Sequence, residues 1–283
     1  MILSYQALTP TLMILSFIAA LQIGATIPAI RIETTTTSEA IGPAAMPAST
    51  ARTVMVVGGK NFRMEEVEHS GPRSPMRKAG SVMLMHGADR KMFNLDPAKK
   101  EYWEIDLAKM QSQLSAMLKS MPGLEMKFSD MKSDVKDLGD GESVLGHPTR
   151  HFQMTTSMTM NALMLTDTMS VSMESSSETW FAKDLPTEDY TMAADTSMLT
   201  QFRELIPGIN AGKFREQLAK LPKLVPLKSV NTTSSYFGPI DMTFKVTQLA
   251  TKVEKTTVPA STFEIPADYK KVEMPKVVGA SNQ

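Results

Sequence analysis

From Ser81 to Asp106 the chain reads "SVMLMHGADRKMFNLDPAKKEYWEID", short apolar-rich runs broken at Gly87-Ala88-Asp89 and again at Asp96-Pro97-Ala98-Lys99. Runs this short, bounded by Gly, Asp and Pro, are strands between turns. No helical stretch lies between them, so they pair antiparallel as a meander. The same pattern begins upstream. "RIETTTTSEAI" is β-branched and alternating, and it runs into a loop at "GPAAMPAST". "ARTVMVVGGKNFRMEEVEHSG" reads as a hairpin around Gly58-Gly59. Residues Ile30 to Ile105 are therefore expected to be mostly strand.

A different period follows. Leu107, Met110, Leu114, Met117, Leu118 and Met121 recur at steps of three and four, which predicts an amphipathic helix over Asp106–Met121. Asp106 suits its N-cap and Pro122-Gly123 its end. A second helical region spans about Ala194–Leu221. Met198, Phe202, Leu205 and Ile206 form one stripe, and Phe214, Leu218 and Leu221 another, with Pro207-Gly208 between them. Strands return at Arg150–Met160, at Ser170–Phe181 and in a hairpin of Ser229–Tyr236 with Asp241–Thr251. Leu124–Leu138 is a weaker, polar candidate. The fold class is α+β: a curved antiparallel sheet with three or so amphipathic helices packed on one face.

Near the start, "LMILSFIAAL" (Leu12–Leu21) followed by "QIGATIPAI" reads as an export signal with cleavage after Ala25, although no Lys or Arg precedes it. A retained anchor is the other reading. The expected division is a signal or anchor over 1–29, a single domain over 30–275 and a disordered tail over 276–283. Charge balances at 30 basic and 30 acidic residues without a basic block, which argues against nucleic acid as a partner. Cysteine is absent, so disulfides, thiol catalysis and Cys-based zinc sites are excluded.

Five segments carry a resemblance by their order: "GKNFRMEE", "RKMFNLDPAKKEYWEID", "ESVLGHPTRHFQM", "ETWFAKDLP" and "STFEIPADYKKVEMP". Together they resemble the domain-of-unknown-function 4412 family, which is similar in fold to the outer-membrane lipoprotein carrier. The resemblance implies a half-open β-barrel whose concave face is covered by helices. In carrier-like relatives that face takes acyl chains or other hydrophobic ligands. It implies no reaction and no catalytic residue.

The residues themselves offer little catalysis. His147 and His151 in "HPTRH" have the spacing of a helical zinc pair, but Pro148 disfavours a helix there and no Glu stands beside His147. A turn before a strand is the simpler reading. No nucleophile elbow or phosphate loop occurs. The carboxylates at Glu65, Glu66, Glu68, Asp130, Asp134, Asp137 and Asp140 read as solvated surface. No enzyme, cofactor or metal site is expected.

Methionine is the outlier at 24 residues, six of them between His151 and Phe181. Thioethers suit Cu(I). On a strand, however, Phe152, Met154, Thr156, Met158 and Met160 spread along one face at about 7 Å per two-residue step. If Arg150–Met160 pairs with Ser170–Phe181, then Met169, Val171 and Met173 continue that row. The product is a soft apolar wall, either plain core or one side of an adaptable pocket. The expected binding set is Phe152, Met154, Met158, Met160, Val171 and Met173 on the sheet, with Met110, Leu114, Met117 and Phe202 on the helices. The expected function is an exported, non-enzymatic binder of a hydrophobic small molecule or acyl chain in the periplasm or cell envelope. A sensor or scaffold that binds an envelope protein, and a periplasmic copper binder, are the alternatives.

Overall fold

A computed structural model describes residues 25–41, 47–71, 80–87, 91–105, 109, 112, 124–164, 167–186, 211–237 and 240–274. Its strands are β1 (Thr26–Ile41), β2 (Ser49–Gly58), β3 (Asn61–Ser70), β4 (Val82–His86), β5 (Lys91–Asp96), β6 (Glu101–Ile105), β7 (Leu124–Val144), β8 (His147–Met164), β9 (Asp167–Pro186), β10 (Leu224–Phe237), β11 (Ile240–Pro259) and β12 (Lys270–Lys271). One helix, α1 (Ala211–Leu218), precedes β10, and a 3-10 turn (Ala260–Phe263) follows β11.

All the strands join one sheet in the order β12-β6-β5-β4-β3-β2-β1-β11-β10-β9-β8-β7. Two meanders, β1–β6 and β7–β11, meet along β1 and β11, which pair from Thr26 with Pro259 to Ile41 with Thr243. The end strands β12 and β7 do not pair, so the sheet is open.

Turn chemistry sets the registers. Gly59 takes φ +57°, a left-handed conformation that a residue without a Cβ adopts freely, and it closes β2 onto β3 with Gly58 opposite Asn61. Asp96 Oδ1 accepts the Lys99 N–H at 3.3 Å and closes β5 onto β6. β8 and β9 pair without interruption from Thr149 with Ala182 to Met164 with Asp167, the hairpin that the methionine pattern predicted.

Two expectations change. The amphipathic helices over the concave face are not seen among the described residues. Instead α1 buries Phe214 and Leu218, a single i,i+4 pair, and packs against β7. Gln217 Oε1 accepts the Val135 N–H at 3.2 Å there. Pro207-Gly208 splits the second helical pattern, and of that region only the part beyond the split is described. Of the predicted helix Asp106–Met121, only Lys109 and Ser112 are described, both helical. The chain spends its length in strand instead: the weak candidate after Leu124 is a 21-residue strand. The expected signal lies mostly in residues 1–24, outside the described residues. Strand β1 begins at Thr26, immediately after the expected cleavage point. The expected tail also lies outside them.

The last described segment covers one face of the first meander. Phe263 packs with Ala29 and Val56, and Ile265 and Tyr269 pack on Val82, Leu84, Phe93 and Leu95. The Phe263 carbonyl lies 2.6 Å from His86 Nε2. The Lys270 and Val272 amides donate to Lys100 and Tyr102 carbonyls at 2.8 Å, which fixes β12 beside β6.

Candidate functional site

Residues directly opposite in antiparallel strands share a face, so the registers define rows across the sheet. One row runs Phe62, Val57, Ile30. The next runs Met83, Met64, Met55, Ile32. A third runs Glu66, Thr53, Thr34, Ala250. A fourth runs Ala51, Thr36, Gln248, Ser229, Thr179, Phe152. The last of these puts Phe152, and with it the alternate positions Met154 and Met158, on the same face as Met55 and Met64.

That face is concave. A cavity of about 240 Å³ is lined by Thr34, Thr53, Met55, Phe62, Met64, Ser229, Gln248 and the Pro226–Lys228 stretch. Phe62 and Met64 are on β3 and Ser229 is on β10, with β2, β1 and β11 between them. Flat, they would stand about 19 Å apart at four strand spacings. A space this small reaches both only if the sheet curls around it.

The sequence-predicted residues distribute unevenly along this face. Phe152 belongs to a buried cluster with Val135 and Phe181, its ring meeting Phe181 edge-on at 5.8 Å, and Met154, Leu221 and Leu224 pack against it. In the β8–β9 register Met158 pairs with Met173 and Met160 with Val171. Val171 is fully buried, while Met154, Met158 and Met173 are half-buried. Thr156, Ser175, Ser177 and Thr179 interrupt the wall. Met110, Leu114, Met117 and Phe202 lie outside the described residues.

A second groove, about 320 Å³, runs along β7–β10 beside Thr155, Ser157, Glu174, Ser176, Thr232 and Ser234. These are the alternate positions, so this groove opens on the other face and carries hydroxyls. The apolar cavity therefore sits between the two meanders and not over the β8–β9 methionines. The residues that sequence reasoning missed are Met55, Phe62 and Met64, with Met83, Met85 and Met92 beside them. A signal existed: closing a hairpin at Gly59-Lys60 places Met55 opposite Met64 by counting outward.

The histidines are individually engaged. The turn falls at Leu145-Gly146, and "HPTRH" is the start of β8. His147 Nδ1 lies 2.8 Å from Asp184 Oδ2. His151 lies 3.0 Å from Glu178 Oε2 and stacks on Trp180 at 4.1 Å. Lys228 Nζ lies over the other side of that ring, 4.5 Å from its centre, and pairs with Glu142. At the β7 edge the Arg150 guanidinium donates to Asp137 and holds its carboxyl below the ordinary range. Lys183 and then Arg150 do the same to Asp140. Among the described residues, no group of three or more His, Asp or Glu is arranged to hold a metal ion.

The comparisons extend this picture. No curated protein matches the chain. Among solved structures, a DUF1329 family protein from Desulfovibrio piger is similar over 83% of this chain and 89% of its own, at 8% identity and a TM-score of 0.18. The family model described as "Domain of unknown function (DUF4412)" matches residues 43–269, from just before β2 to the residue before β12. On that span, the chain belongs to the DUF4412 family.

Proposed function

We propose that this protein is an exported, non-enzymatic binder of lipid or another hydrophobic ligand in the cell envelope, and that the ligand lies on the concave face. The observation that carries this is the 240 Å³ cavity with Met55, Phe62 and Met64 at its apolar end. Unbranched thioether chains repack around ligands of different shape, where branched side chains would not. Binding would draw on apolar area removed from water, about 25 cal/mol per Å². Met154, Met158 and Met173 continue the same face and would extend the contact of a longer chain. Native mass spectrometry of protein purified from its own envelope, with lipid extraction, tests this. Acyl species released from the wild type and reduced in Met64→Asp are the expected result. Protein that carries none, and that takes up no acyl chain when supplied, would sink the reading.

A second reading has its own observation. Met83, Met64 and Met55 stand opposite one another on three adjacent strands, where three soft thioethers can converge as Cu(I) requires. Tight one-to-one Cu(I) uptake that disappears in Met64→Leu would favour copper over lipid.

A further inference from the structure

The chain carries 24 methionines and no cysteine, so its thioethers meet an oxidant with no thiol to intercept it. We infer that Met55 and Met64 are a modification site, oxidised to sulfoxides by hydrogen peroxide that enters the cavity, and that this reversibly turns the cavity from apolar to polar and releases its ligand. The release rests on the hydrophobic-ligand reading above; the oxidation does not.

Two pairs of methionines stand on the concave side of the first meander in contrasting surroundings. Met85 and Met92, opposite each other on β4 and β5, are 6% and 3% exposed. Met55 and Met64, opposite each other on β2 and β3, are half-buried and line the cavity. Thr34, Thr53, Ser229 and Gln248 also line it, and Gln248 is exposed to solvent. A space of about 240 Å³ with polar groups on its wall holds water, roughly eight molecules by liquid volume. Hydrogen peroxide is little larger than water and follows the same path. It reaches Met55 and Met64, and burial keeps it from Met85 and Met92.

The step balances with peroxide alone. A sulfur lone pair attacks one peroxide oxygen, and the S–O bond forms as the O–O bond breaks. The departing hydroxide takes the proton from the transferred oxygen and leaves as water. Sulfur is oxidised by two electrons and the peroxide is reduced by two. The cavity also suits the product. Thr53 lies two residues from Met55 on the same face of β2, about 7 Å along the strand, and Thr34 stands opposite Thr53. Their hydroxyls donate readily to a sulfoxide oxygen. The new polar group is therefore solvated where it forms, so the sheet keeps its pairing while the apolar wall that an acyl chain needs is lost.

The test treats the full chain with limiting hydrogen peroxide, quenches with free methionine and follows each site by peptide mass spectrometry. Met55 and Met64 are expected to gain oxygen roughly tenfold faster than Met85 and Met92, and urea should erase the difference. The treated protein should bind a dansyl-labelled fatty acid about tenfold more weakly, still unfold cooperatively in urea, and recover its affinity with methionine sulfoxide reductase. In the Met55→Leu, Met64→Leu double variant, affinities before and after treatment should agree, whatever the variant's own affinity. Oxidation of Met55 and Met64 no faster than that of Met85 and Met92 would overturn the modification site. Selective oxidation with unchanged binding would overturn the release. So would a loss of binding that persists in the double variant or that accompanies unfolding. Untreated protein that binds no probe would remove the hydrophobic-ligand reading and the release with it, and the oxidation rates would still decide the modification site.

Discussion

In the half of the sheet made by β2–β6, strands run 5 to 10 residues, and β4 is apolar on both faces over Val82–Met85. In the half made by β7–β11, they run 14 to 21 residues and are apolar mainly on one. The cause is what each half packs against. The C-terminal segment covers the outer face of the first half, so "VMLM" in β4 is apolar throughout. No described segment covers the outer face of the second half, and Thr and Ser occupy its alternate positions. The first half also gathers its methionines on one face. Val56, Val82, Leu84, Phe93 and Leu95 point toward the C-terminal segment, and Met55, Met64, Met83, Met85 and Met92 toward the concave side. Val57 and Phe62 share the concave side with these methionines, and of the five methionines Met55 and Met64 line the cavity.

The strongest test of this contrast removes the permanent neighbour. Phe263 is buried against Ala29 and Val56, and a Cβ on Gly58 would already stand 3.0 Å from its ring. Phe263→Ala should cost about 3–5 kcal/mol in urea unfolding. A cost near that of a surface change would mean the segment merely rests on the sheet. Gly141→Ala probes the second half at a tight point. Its Cβ would fall 2.5 Å from Trp180 Cδ1 and 2.7 Å from Thr149 Oγ1. Trp180 is held between His151 and Lys228 and cannot simply swing away. A loss of about 1–3 kcal/mol is expected, with a shift in tryptophan emission. An unchanged spectrum would show that the ring is not packed as described.

How much of this was written in the sequence depends on the range of the interaction. The turn at Asp96–Lys99 was legible, and the one expected around Gly58-Gly59 was legible to within a residue, since it falls at Gly59-Lys60, because φ preference and side-chain hydrogen bonds act within four residues. The β8–β9 hairpin was legible from methionine alternation. The length of β7 was not: "KFSDMKSDVKDLGDGES" has no apolar period, and it is strand because β8 supplies a ladder along it. Register shifts at Ser129/Lys132, Asp137/Gly139 and Gly141/Val144 hide its alternation further. The cavity was the least legible feature. It needs β3 and β10 to approach across three intervening strands, and only the curl of the whole sheet decides that.

The hydroxyl face should tolerate what the covered face does not. Thr155 is exposed on the outer groove of the second half. Thr155→Val should change unfolding free energy by less than about 0.5 kcal/mol. A larger loss would mean that something packs on this face and that the two halves differ less than described.

The smallest effect belongs to the β7 edge, where Arg150 pairs with the exposed Asp137. Arg150 depresses the Asp137 pKa in the folded chain. The stability that this pair contributes is therefore present above the unfolded carboxylate value, about 3.9, and is lost as pH falls through the lower folded value. Asp137→Asn removes that contribution at neutral pH and changes nothing once the wild-type carboxyl is protonated. The gap between wild-type and variant urea midpoints should be small at pH 7 and should close toward pH 2. No gap at pH 7 would assign the contact to the hydrogen bond from the Gly139 amide, which the amide oxygen of the variant still accepts, instead of to charge. The edge of β7 would then be held by its backbone turn, as the first meander is held at Gly59, and not by its ions.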